Sequence, residues 1–101
     1  EVNTSGEASK SGCTPGECAD LCAMAAEAGE VELRGLMTIG PLSGDQRAVR
    51  GAFSLLRTLG EFCRAHGGNV ELSMGMSGDF EWAIAEGSTM VRIGTYLFPR
   101  Q

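Results

Sequence analysis

The residues best suited to chemistry stand at two strand ends. The run Ser73-Met74-Gly75-Met76-Ser77-Gly78-Asp79-Phe80 reads as strand, glycine turn and helix start. At such a junction the first helical amides lack an internal partner and point outward. Glycines admit an anion to those amides, and Ser77 adds a hydroxyl donor, so the run is a candidate phosphate cradle. The pattern alone leaves an ordinary turn capped by Ser77 or Asp79 equally open.

The second run is Val91-Arg92-Ile93-Gly94-Thr95. A guanidinium near the carboxyl end of a buried strand needs a partner. That partner is a ligand or a carboxylate such as Glu71 or Glu86. Gly94 and Thr95 then offer two amides and a hydroxyl. A third stretch, Asn3-Thr4-Ser5-Gly6-Glu7-Ala8-Ser9-Lys10-Ser11-Gly12, places Asn3 at the end of a first strand, and the rest reads as solvated loop.

The remaining candidates point to no chemistry. His66 is the single histidine and stands at a helix end, where a cation suits the dipole. Cys18 and Cys22 share a helix face, but no second ligand pair follows Cys13, Cys18, Cys22 and Cys63 at zinc-like spacing. No metal site is expected, and the cysteines read as separate small thiols suited to a reducing compartment. The five methionines read mostly as core filler.

Four strands and three helices must position these groups. Val2–Ser5 reads as the end of a strand. Thr14-Pro15-Gly16-Glu17 is a helix entry, with Thr as cap, Pro at the first position and Glu three residues on. Helix follows over Glu17–Ala28 and stops at Gly29. Glu32–Ile39 is a buried strand between Gly29 and Gly40-Pro41. From Asp45 to His66, Val49, Phe53, Leu56, Leu59, Phe62 and Cys63 recur at the spacing of an amphipathic helix. Val70–Met74 is a third strand, Asp79–Glu86 a short helix, and Met90–Ile93 a fourth strand. The order β-α-β-α-β-α-β implies an α/β fold of parallel β/α units.

Composition narrows the partners. The 101 residues allow one small domain. The net charge is -5, with only eight basic residues and no run of them. A nucleic-acid footprint is therefore not expected. No apolar stretch approaches the ~18 residues of a membrane span. Fifteen glycines, about twice the usual ~7% share, point to tight turns or close ligand approach. The chain opens at Glu1 inside a strand motif, so a piece of a longer protein is expected.

Together, Val2-Asn3-Thr4-Ser5-Gly6-Glu7, Ser9-Lys10-Ser11-Gly12, Gly35-Leu36-Met37-Thr38-Ile39-Gly40, Leu72 to Phe80 and Val91 to Thr95 closely resemble the pyridoxal 5'-phosphate (PLP) homeostasis protein family. That family shares the barrel of the alanine racemase N-terminal domain. The resemblance implies that residues 1–101 are the C-terminal half, the last four strands, of a TIM-type (β/α)8 barrel. It implies a PLP-binding protein of vitamin B6 homeostasis with no firmly assigned reaction. Ser77 with the amides around it, Met76 and Gly78, would hold the PLP phosphate, and Gly94 and Thr95 would complete the cradle. Arg92 would approach the pyridine nitrogen, and Asn3 would lie near the ring.

The family's PLP-bearing lysine belongs to an early strand that this chain lacks, and Lys10 does not replace it. Pro99 stands where the family usually has glycine. The expected compartment is the cytoplasm, with a mitochondrion or other organelle as the other possible places. The expected partners are PLP and either a second copy or a complementary N-terminal half. A racemase-like PLP enzyme and a truncated half-barrel without autonomous function are the alternatives.

Overall fold

Helix α1, Pro15–Ala28, starts where side chains close its free amides. A computed structural model of the chain describes residues 1–8, 10–42, 44–65, 70–94 and 97. The Glu17 amide donates to Thr14 Oγ1 at 3.2 Å, and the Thr14 amide donates to Glu17 Oε1 at 3.0 Å. This reciprocal capping box is the one its sequence predicts. The Thr14 bonds hold the Glu17 carboxyl below its ordinary value. At the other end Gly29 takes φ 72°, the left-handed turn that ends the helix.

Helix α2, Gln46–Arg64, is capped by Asp45, which accepts the Ala48 amide at 3.1 Å. Its buried face is Val49, Ala52, Phe53, Leu56, Gly60 and Cys63. Phe62, expected on that face, is 62% exposed, and Gly60 takes the central place instead. A Cβ on Gly60 would lie 2.9 Å from Leu72 Cδ2, so the missing side chain lets α2 settle closely on the sheet. Helix α3, Phe80–Ala85, packs beside α2.

Strands β1, Gly35–Met37, and β2, Glu71–Ser73, pair in parallel with Leu36 opposite Leu72. Gly35 is required there, because any side chain would strike the Glu71 carbonyl. The other two expected strands are reduced to single parallel bridges, Val2 with Cys13 and Ser73 with Met90. Their backbone still extends the order of the sheet. The Val2 amide donates to Met37 O at 2.8 Å, and the Met74 amide donates to Met90 O at 3.0 Å. A longer ladder fails beside β2 because side chains compete for its backbone. Thr89 Oγ1 accepts the Leu72 amide at 2.8 Å, and Ser88 Oγ donates to Met74 O at 2.7 Å. The result is the expected α/β arrangement of parallel units.

The core lies between the sheet and α2, with Phe53, Leu56 and Met74 fully buried. Met74 is the only methionine buried to this degree. Met24, Met76 and Met90 are exposed, contrary to their expected role as filler. Cys22 and Cys63, expected as separate thiols, form a disulfide between α1 and α2. Packing of the two helices brings their Cα atoms to 6.1 Å, within bonding range. No described helix is long and apolar enough to cross a membrane.

Candidate functional site

The carboxyl ends of β1, β2 and the Met90 segment gather at one edge of the molecule, and the first segment is tied to it by the Thr38 hydroxyl, which donates to Val2 O. Parallel pairing requires this, and the hydrogen bonds past the strands carry it further. The Thr38 amide donates to Ser73 O at 3.1 Å, and the Arg92 amide donates to Gly75 O at 2.8 Å. Ser77 and Gly78 follow Gly75 by two and three residues, and Gly94 follows Arg92 by two. The two runs that the sequence offers as a phosphate cradle therefore leave the sheet at the same end. Thr95 and His66 lie outside the described residues.

Gly75 makes the turn possible. Its φ is 106°, and a Cβ would stand 2.7 Å from Ala83 Cβ and 3.2 Å from Val91 Cγ1. No other residue fits both the torsion and the space. Beyond it, nothing lies within 4 Å of a Cβ built on Gly78 or on Gly94, so both backbones are open to an approaching group. Ser77 is half-buried.

Met76 behaves differently from its neighbours. Its amide already donates to Asp79 Oδ1 at 2.8 Å, and its carbonyl accepts the Asp79 and Phe80 amides. Asp79 thus holds the turn from the helix side instead of capping α3 through its side chain. A cleft of about 200 Å³ is lined by Ser77, Gly78, Asp79, Phe80, Glu81 and Trp82. It contains two carboxylates and no cation, so backbone and hydroxyl donors must supply any affinity for an anion there.

Arg92 has no carboxylate partner among the described residues. Glu86, one expected partner, binds Arg50 Nη2 at 2.7 Å and Arg57 Nη1 at 3.4 Å. Arg92 Nη2 instead donates to Thr38 O at 2.8 Å. Its Nε is buried with no hydrogen-bond acceptor among the described residues. A buried, unpaired donor on a charged group is costly and marks a place where an acceptor is missing.

The sequence singled out Arg92 but missed Thr38, which holds it. Thr38 is fully buried, and its hydroxyl donates to Val2 O at 2.7 Å. With that proton committed, Thr4 Oγ1 donates to Thr38 Oγ1 at 2.8 Å. Thr38 so ties the first segment, β2 and Arg92 into one polar knot. The available signal was a polar residue inside the apolar run Gly35–Gly40.

Asn3 stands at this end too, but its side chain serves its own loop. Nδ2 donates to Glu7 O at 2.9 Å, while Oδ1 accepts Ser5 Oγ and the Gly6 amide. The loop is more ordered than a solvated one. The Lys10 side chain is only 13% exposed and lies 3.9 Å from Glu7 Oε1.

These features define an α/β protein of parallel β/α units whose polar, glycine-lined pole opens at the strand ends. The chain belongs to the alanine racemase N-terminal domain family, whose sequence model matches residues 1–100. It is 47% identical over 98 residues to a Pseudomonas aeruginosa protein named pyridoxal phosphate homeostasis protein, covering 97% of this chain and 42% of the relative. The Homo sapiens protein of the same name is 42% identical over 104 residues, covering 97% and 38%. The chain thus spans about two fifths of the length of these relatives.

Two solved structures resemble it closely. An unknown protein from Bifidobacterium adolescentis matches with a TM-score of 0.89 at 47% identity, covering 96% of this chain and 40% of the other. PipY of Synechococcus elongatus PCC7942, solved with PLP bound, matches with a TM-score of 0.79 at 33% identity, covering 89% and 44%.

Proposed function

We propose that this chain is the C-terminal half of a PLP-binding (β/α)8 barrel, residues 1–101 forming its last four strands, and that it serves PLP homeostasis as a cytoplasmic binding protein without a reaction of its own. The buried, acceptor-less Nε of Arg92 at the strand ends carries this reading. An aromatic ring nitrogen is the acceptor it lacks. An arginine there keeps that nitrogen unprotonated and weakens the ring as an electron sink, which suits holding over catalysis.

The residues present fit the cofactor. Ser77, Gly78, Gly94 and Thr95 would hold the phosphate. Met76 and Asn3 contribute through the turn and loop they fix, since the Met76 amide and the Asn3 side chain already have partners. Bound PLP supplies an aldehyde that captures amines. This chain's own residues bind the phosphate, orient the ring and offer no identified proton-transfer pair. The names of the relatives support homeostasis over racemisation.

The half-barrel reading draws support from the sheet. α2 packs on its Leu36 and Leu72 face, whereas Gly35, Met37, Glu71 and Ser73 on the other face are not fully buried. Parallel sheets are normally covered on both faces. A complementary N-terminal half would cover this face and bring the PLP-bearing lysine.

PLP titration of the 101-residue chain, followed by absorbance, tests the site. Binding that inorganic phosphate competes away is expected. Arg92→Gln should weaken it roughly 10–100-fold, the range for a hydrogen bond from a charged group. After borohydride reduction, peptide mapping should find no stoichiometric lysine adduct. Binding indifferent to both phosphate and Arg92→Gln would overturn the assignment.

A further inference from the structure

The cysteines take no part in the proposed PLP site, yet the fold gathers them. Cys18, Cys22 and Cys63 are each no more than 3% exposed. Their sulfurs all lie within 4.8 Å of one another. Two come from one face of α1 and the third from α2, 41 residues beyond Cys22. Three sulfurs bound to one tetrahedral zinc ion stand roughly 3.8 Å apart, given Zn–S bonds of about 2.3 Å. Small side-chain rotations reach that arrangement once the Cys22–Cys63 bond is opened.

The surroundings suit an ion. Cys13, Cys18 and Cys22 line one cavity of about 150 Å³ together with Glu1, Leu21 and Leu33. The cavity supplies an entry path, and Cys13 stands beside Cys18 at its wall. The rest of the lining is mostly apolar, which strengthens thiolate–metal attraction by keeping water away. Burial, with the Cys13 thiol adding to it, pushes the Cys18 thiol up.

We propose that Cys18, Cys22 and Cys63, when reduced, form a three-thiolate site for a thiophilic d10 cation, zinc(II) in particular. Disulfide formation and metal binding then exclude each other, because Cys22 and Cys63 cannot serve both. A phosphine reductant and one water open the bond, giving two thiols and a phosphine oxide. Zinc(II) then displaces three protons from the three thiols, leaving a complex of net charge -1. The site stands apart from the PLP reading, and its test uses no PLP.

The test is metal titration of the phosphine-reduced 101-residue chain, with cobalt(II) as the optical probe and zinc(II) as competitor. One ion per chain is expected, with an intense thiolate-to-cobalt charge-transfer band that zinc(II) removes. Cys13→Ser should keep the uptake, while Cys18→Ser, Cys22→Ser and Cys63→Ser should each weaken it roughly 100-fold. X-ray absorption of the unmutated zinc-loaded chain gives a reading that does not depend on variants folding. At least three sulfurs at about 2.3 Å are expected. Fewer than three sulfurs, less than one ion per chain, or a folded Cys63→Ser variant that binds like the parent would overturn the proposal.

Discussion

The strand-end pole and the sulfur cluster adjoin the same small core and are built on opposite plans. The pole is polar, open and stitched by backbone hydrogen bonds. Its groups come from short contiguous runs, each ending one parallel segment. The cluster is buried among mostly apolar groups, and its third sulfur arrives only because α1 and α2 pack side by side. Parallel topology aligns strand ends whatever the side chains are, whereas helix packing joins residues that no local spacing relates.

Breaking what the two regions share should have the largest effect. Phe53 is fully buried on α2 and also faces Gly40 at the strand ends. Phe53→Ala should cost about 3–5 kcal/mol in urea unfolding, and should lower PLP binding and expose the cysteines together. Opening the Cys22–Cys63 disulfide should affect only the helix side. Its 41-residue separation implies up to about 4 kcal/mol from loop entropy. The urea midpoint of the chain in phosphine and chelator should fall accordingly, and zinc(II) should restore part of it.

Gly75→Ala addresses the pole alone. The positive φ and the contact with Ala83 should cost about 1–3 kcal/mol and displace Ser77, weakening PLP binding while cysteine accessibility to an alkylating reagent stays unchanged. Thr38→Val removes one of the two hydrogen bonds to the Val2 carbonyl and the partner of the Thr4 hydroxyl, and should cost about 1–2 kcal/mol in urea unfolding, while Arg92, held by the Thr38 main-chain carbonyl, and PLP affinity should be little changed.

The smallest effect belongs to the α1 cap, on the helix side. Thr14→Ala should cost ~1 kcal/mol. Its pH signature has a fixed sign. The folded Glu17 carboxyl lies below its ordinary 4.5, so its contribution is present above that pH and fades as pH falls through the depressed value. The acid limb of the stability curve should therefore be flatter in Thr14→Ala than in the parent.

Local signals made much of the fold legible. Thr14, Pro15 and Glu17 mark the start of α1, and Gly29 its end, because caps act within one turn of chain. The spacing from Val49 to Cys63 revealed α2, although Phe62 fell outside its buried face. The outer strands were overestimated, since hydroxyls of Ser88 and Thr89 take β2 backbone groups that a ladder would use. Resemblance across contiguous runs picked out Arg92, Ser77, Gly78 and Gly94, but not Thr38, whose importance lies in partners 34, 36 and 54 residues away.

By itself, then, the sequence determined the order of elements, the glycines at which the chain must turn, and the two runs that leave the sheet side by side. These follow from torsions and spacings of adjacent residues. Only tertiary structure decided that Arg92 binds a carbonyl and keeps a donor unpaired, and that Cys63 meets Cys18 and Cys22. Both outcomes depend on which segments pack against each other. That choice is made by burial of Leu36, Phe53, Leu56 and Leu72 across the whole chain, which no local window contains.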